Sequence, residues 1–115
     1  MGYYGVSFEP YVGPWDNGQP VLFNAYSLSQ VMELLQTIKP TFGRIATYGQ
    51  GTFVWQGTPI IQDSNKWNIA AASAVGLMVS AGCYQQGANP GGDSINVGWT
   101  QTEVNYAIDQ AKNFP

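Results

Sequence analysis

Apolar residues in this chain recur at two different periods, and the places where one period gives way to the other predict β-α units. Trp67, Ala70, Ala71 and Ala74 fall at three- and four-residue spacing, as one buried helical face would. Gly76 stands where a helix closes in the left-handed conformation that glycine adopts at little cost. Residues 77–83 then form a nearly all-apolar run without charge, the pattern of a strand covered on both faces of a parallel sheet. Upstream, residues 3–9 read as a first strand, with Val6 and Phe8 on one face and Gly5, Ser7 and Glu9 on the other. A loop over 10–24, punctuated by Pro10, Gly13, Pro14, Gly18 and Pro20, leads to Ser27 and Gln30, which match a capping box. Leu28, Val31, Leu34, Leu35 and Ile38 make the apolar stripe of the helix that Pro40 ends.

Residues 41–48 form the second strand by position, followed by a second long loop over 50–62 that carries Phe53 and Trp55. Ser64 is placed to cap the next helix, which reaches Val75. After the third strand, a Gly-, Asn- and Pro-rich loop over 85–98 precedes Thr100 and Glu103, a second capping-box pattern, with Val104, Ala107, Ile108 and Ala111 on one helical face. Strand starts near residues 3, 42 and 77 define three units. The expected fold is α/β: a partial (β/α) barrel of three β-α units with parallel strands and right-handed crossovers, one domain over 1–115. A closed barrel takes about 200 residues or more, so 115 leave it open and completion by oligomerisation, as a homodimer, is expected.

Composition narrows the function. Charged residues are 10% of the chain, the net charge is -3, and there are four Lys and Arg in total. That supplies neither the basic stripe that phosphate requires nor a polybasic lipid patch, so nucleic acid and membrane are not expected partners. No apolar run nears the roughly 20 residues that span a bilayer. No signal peptide is visible, and Met1 and Gly2 lead straight into a strand, which reads as an initiator placed before a mature secreted sequence. An extracellular location is the expectation, although an intracellular start would read the same. The absence of histidine removes Ser-His and Cys-His nucleophilic pairs and histidine metal sites, and no cofactor is expected. Cys83, alone and without a base to activate it, reads as a small buried strand residue.

What remains is an aromatic content of 14%, fourteen glycines and many Asn and Gln, a surface suited to sugars. Flat rings stack on pyranose faces while amides and carboxylates bond hydroxyls; part of the aromatics will fill the core instead. The carboxyl ends of the strands gather Glu9, Tyr48 with Gln50, and Tyr84 with Gln85 on one rim, joined by Asp16, Asp63 and Asp93 from loops. Two acids flanking a glycosidic bond suffice for hydrolysis. Glu9 is the first candidate, because a rigid, half-buried strand end is where a carboxyl acquires acid-base character; the alternative is a rim glutamate paired with Arg44 of the adjacent strand. Asp93 and Asp16 are further catalytic candidates, with solvated turn residues as the plainer alternative. Asp63 reads as a helix-start residue, Glu103 as a capping-box partner, and Glu33 and Asp109 as solvent-facing. Tyr11, Trp15, Trp55, Tyr84 and Trp99 are the candidate sugar platforms, with Tyr48 and Gln85 beside them.

The segments GVSFEPY at 5–11, GRIATYG at 43–49 and AAASAVGLMVSAG at 70–82 resemble the first three strands of family 17 glycoside hydrolases, the β-1,3-glucanase barrels of the wider retaining clan. The resemblance runs in order over nearly the whole chain. It implies a barrel truncated before its fourth strand, a β-glucan substrate with β-1,3 or β-1,4 linkage, and substrate-side positions for Tyr48 and Tyr84. It does not supply the catalytic pair: in the family the acid/base glutamate follows a Gly-Asn motif ending the fourth strand and the nucleophile comes later still. Ala46 also stands where the family often has a basic residue, and Glu9 has no catalytic counterpart there. The expectation is therefore a glucanase-like hydrolase with a site assembled from partial barrels, against a non-catalytic carbohydrate-binding or structural remnant.

Overall fold

The structure, a computed structural model, describes residues 5–10, 15–16, 19–20, 26–83 and 94–114, with the backbone alone described at 15–16, 19–20, 53–55 and 94–97. The elements in chain order are β1 (Val6–Ser7), β2 (Trp15–Asp16), β3 (Gln19–Pro20), α1 (Leu28–Ile38), β4 (Arg44–Ala46), β5 (Thr52–Trp55), β6 (Thr58–Ile61), a 3-10 turn (Ser64–Trp67), α2 (Asn68–Val75), β7 (Met78–Ser80) and α3 (Ser94–Asn113). The chain is a small mixed α/β domain built on a three-stranded parallel sheet of order β1-β4-β7. Val6 aligns with Ile45 and Ile45 with Val79, so each strand lies beside the next in sequence.

Local chemistry explains the helix boundaries. Ser27 caps α1 with a complete capping box: its hydroxyl accepts from the Gln30 N–H while the Gln30 side chain accepts from the Ser27 N–H. Val31 and Leu35 of the expected stripe are fully buried, Leu28 and Ile38 partly so, and Leu34 lies at the solvent edge. Gly76 closes α2 at φ 83°, and the Leu77 N–H donates to the Ala72 carbonyl at 2.8 Å, the closure predicted for that glycine. The cap of the second helical segment is Asp63 rather than Ser64, and the segment starts as a 3-10 turn. The Ser64 hydroxyl instead accepts the Tyr26 N–H at 2.7 Å, tying the entry of α1 to that of α2.

α1 and α2 pack against each other on one face of the sheet. Val31, Leu35, Ile45, Ala71, Ala72, Val75 and Leu77 form the core between them, with Val6, Phe8 and Val79 packed at its border. The alanines permit this close approach, although Ala74, expected on the buried face, is exposed while Ala72 is buried. No described helix covers the other face of the sheet, where Ser7, Ala46, Met78 and Ser80 are all exposed, Met78 at 60%. The expectation that 77–83 would be covered on both sides is thus corrected. β7 spans three residues, and its apolar run packs on one side only because both described crossover helices lie there.

Three expected loops hold ordered elements, the first being 10–24, where β2 and β3 pair antiparallel with Trp15 level with Pro20. Residues 50–62 contain the antiparallel hairpin β5–β6, whose register pairs Thr52 with Ile61 and Trp55 with Thr58. Its two-residue turn has φ 49° at Gln56 and 80° at Gly57, the doubly positive geometry whose twist matches that of paired strands. The loop expected over 85–98 gives way to α3 at Ser94, so Thr100 and Glu103 lie inside a helix and do not cap one. α3 rests on the hairpin, leaving Ile108 47% exposed and Ala111 exposed, against the expected apolar face.

Candidate functional site

Past β4, the chain turns at the carboxyl end of the sheet through a segment held by buried polar groups. The Thr47 N–H donates to the Ser80 carbonyl at 3.1 Å, and the Gly82 N–H donates to the Thr47 hydroxyl, also at 3.1 Å. The Gln50 side-chain amide donates to the Gly82 carbonyl at 2.8 Å, so the rim of β4 is stitched to the rim of β7. Behind this stitch lies Glu103 of α3, 1% exposed. Its carboxylate accepts the Gln50 N–H at 2.9 and 3.0 Å, the Thr52 N–H at 3.3 Å, and the Thr52 hydroxyl. Sequence reasoning missed this clamp. The one available signal was a glutamate on the same helical turn as apolar Val104 and Ala107, where a surface acid is out of place.

Two further groups sit in the field of that carboxylate. Burial pushes the Cys83 thiol above its ordinary value, and the negative Glu103 adds to the shift, which keeps Cys83 a neutral thiol. Burial also raises Asp63, aided by Glu103 and opposed by hydrogen bonds from the Asn65 N–H at 2.8 Å and its side-chain amide at 3.1 Å. A raised carboxyl favours folding in its protonated form, so its contribution is fully present below the unfolded value near 3.8 and is lost as pH rises through the folded value. Asp63→Asn keeps the capping oxygen and removes the charge. Its melting temperature is expected to gain on the wild type as pH rises from acid to neutral; a gain independent of pH would contradict this assignment.

On the rim itself, the Phe8 N–H donates to the Ala46 carbonyl at 2.9 Å, carrying the parallel alignment past β1. Glu9, half-buried, is thereby set about level with Tyr48, which is 58% exposed. By strand alternation both belong to the open face of the sheet. Arg44 lies level with Gly5 at the opposite end and reaches along that face, donating to the Ser80 hydroxyl at 3.1 Å and lying 3.6 Å from the Met78 sulfur.

Of the expected site residues, Glu9 and Tyr48 stand at the same level of the rim by register, while Gln50 is buried and bonded to Glu103 and Gly82. Tyr11, Tyr84, Gln85 and Asp93 lie outside the described residues. Trp15 and Asp16 form β2 and Trp55 ends β5, where only the backbone is described. Trp99 is half-buried on α3, within a helix and not on the loop expected to present it. Glu33 and Asp109 are solvent-facing, as expected.

Among the described residues no group of three His, Cys, Asp or Glu side chains could hold a metal ion, and no helix is long and apolar enough to cross a membrane. A groove of about 430 Å³ lined by Ile69, Ser73, Leu77, Met78, Ala111 and Phe114 among others lies at the β7 edge, across the sheet from β1; its walls are mostly apolar, with the Ser73 hydroxyl as the one polar side chain. No family model, curated protein or solved structure matches the chain.

Proposed function

We propose that this chain is a partial (β/α) barrel of the family 17 glycoside hydrolase kind, that its carboxyl rim takes β-glucan, and that Glu9 handles the proton at the glycosidic bond. The observation that carries the reading is the level placement of Glu9 and of the exposed Tyr48 just beyond adjacent parallel strands. In a barrel, the carboxyl rim is where substrate meets the strand-end residues. Sequential strand order with both crossover helices on one face is the winding of such a barrel. The open face of Ser7, Ala46, Met78 and Ser80 then corresponds to the lumen, and a second copy covering it makes the homodimer part of the same proposal, as is an extracellular location.

The acids also narrow. Of seven, Glu33 and Asp109 lie exposed on helices, Asp63 caps a turn, and Glu103 is buried against backbone; Glu9 is kept for its place at the rim, and Asp16 and Asp93 because their side chains lie outside the described ones. Glu9 acts with Asp16 or Asp93, or with an acid of the second copy, since glycoside hydrolysis uses a carboxyl pair. A second reading, binding without hydrolysis, is favoured by the engagement of both Asp63 and Glu103 with the protein's own groups.

Reducing-sugar release from soluble β-1,3- and β-1,4-glucans, wild type against Glu9→Gln, tests the proposal. Release by the wild type and its loss in the variant are expected. Release that survives the substitution would remove Glu9 from the chemistry. Thermal protection by a glucan without release would select the binding reading.

A further inference from the structure

Glu103 is a buried carboxylate that the proposed chemistry does not use, and its partners are too specific for a residue that merely fills space. Both oxygens face donors that belong to one short stretch, the Gln50 N–H and the Thr52 N–H and hydroxyl, and Gln50 and Thr52 are 1% and 5% exposed. That stretch begins two residues after Tyr48 and opens the β5–β6 hairpin. Because the clamped Gln50 extends its side chain to the Gly82 carbonyl, fixing its backbone also fixes the junction between the β4 and β7 rims.

We propose that Glu103 is a positioning residue for the glucan site: from α3 it holds the 50–52 backbone so that Tyr48 and the β7 rim are presented as one preformed surface. The inference rests on the reading of the rim as a β-glucan site. The physical warrant is preorganisation. Exposed segments at strand ends lose conformational freedom when a ligand binds, and a rim already fixed has less to lose. A carboxylate suits the task because it only accepts, and the stretch presents only donors to it. Glutamine in its place turns one end of the side chain into a donor facing donors. Thr52→Val removes the hydroxyl at constant shape, whereas Thr52→Ser retains it.

The test measures the affinity of a soluble β-1,3-gluco-oligosaccharide for the wild type, Glu103→Gln, Thr52→Val and Thr52→Ser, well below their melting transitions. Amide hydrogen exchange on the same samples reports both folding and local order at residues 48–52. The expected result is a loss of about tenfold in affinity for Glu103→Gln and Thr52→Val, faster exchange confined to 48–52, and affinity close to wild type for Thr52→Ser. A purely structural role would lower the melting temperature and leave the affinity of the folded variants unchanged, and that result overturns the inference. Should Glu103→Gln fail to fold, the two Thr52 variants decide. If the wild type itself binds no β-glucan, the reading of the rim fails and takes the inference with it, an outcome visible before any variant is compared.

Discussion

Gly82→Ala is expected to destabilise the domain by about 3 kcal/mol or more, seen as a fall of about 10 °C or more in melting temperature. A methyl group at this position would drive into the Thr47 carbonyl oxygen, closer than any carbon and oxygen approach without bonding, and would stand 3.1 Å and 3.2 Å from the carbonyl carbons of Thr47 and Tyr48. These are backbone atoms, so no rotamer change relieves the overlap. Relief requires the β4 and β7 rims to separate, and three hydrogen bonds cross that junction: Thr47 N–H to Ser80, Gly82 N–H to the Thr47 hydroxyl, and Gln50 to the Gly82 carbonyl. For domains whose total stability is about 5–15 kcal/mol, a loss of this size is a large fraction of the whole. Gly43→Ala serves as the control, because a methyl there meets nothing within 4 Å. Comparable melting temperatures for the two variants would show that the rim junction is looser than its hydrogen bonding indicates.

The parallel strands, the helices after the first two of them and the Gly76 closure were legible in the sequence because each is encoded locally. A capping box, an apolar stripe at helical period and a glycine at the end of a stripe involve neighbours in the chain, and Ser27, Val31, Leu35 and Gly76 hold the places their spacing predicts. The β5–β6 hairpin escaped because its strands are short and Pro59 interrupts the second, which two-stranded pairing with a free edge tolerates. The start of α3 escaped because Asn96 and Gly98 are weak helix formers in its first turns, set behind a run rich in glycine and proline. Burial on one face of β7 cannot be read from an apolar run, since Met78 is as apolar in the open as it would be in a lumen. At the rim, Glu9 and Tyr48 follow from strand ends and alternation. Glu103 does not: its partners Gln50 and Thr52 lie more than fifty residues away, and Thr100 with Glu103 reproduces a helix-start pattern at a place where no helix starts. A motif of two residues identifies a cap only when the chain before it is not already helical.

The same distance in sequence makes Glu103→Ala the second large prediction, with an expected loss of about 3 kcal/mol or more in equilibrium unfolding. Truncation leaves the Gln50 N–H, the Thr52 N–H and the Thr52 hydroxyl turned toward a space that was filled by the carboxylate. Each buried donor left without an acceptor costs about 1–3 kcal/mol, partly offset if water enters. Some relief comes from the removal of a negative charge near Asp63, which Glu103 pushes upward, but burial and not Glu103 is the first cause of that shift, so the relief is the smaller effect. The loss also reaches α3, which is held besides by its packing on the β5–β6 hairpin and by the Tyr106 hydroxyl donating to the Lys66 carbonyl at 2.6 Å, with Ile108 47% exposed. A double-mutant cycle with Thr52→Val separates the clamp from the general cost of truncation. The two residues are in direct contact, so a coupling of about 1–3 kcal/mol is expected, whereas Glu103→Ala paired with Ser27→Ala at the far cap of α1 should be additive within about 0.5 kcal/mol. Additivity of Glu103 with Thr52 would mean that water takes over the carboxylate's bonds and that the rim is held by the stitch between Gln50 and Gly82 alone.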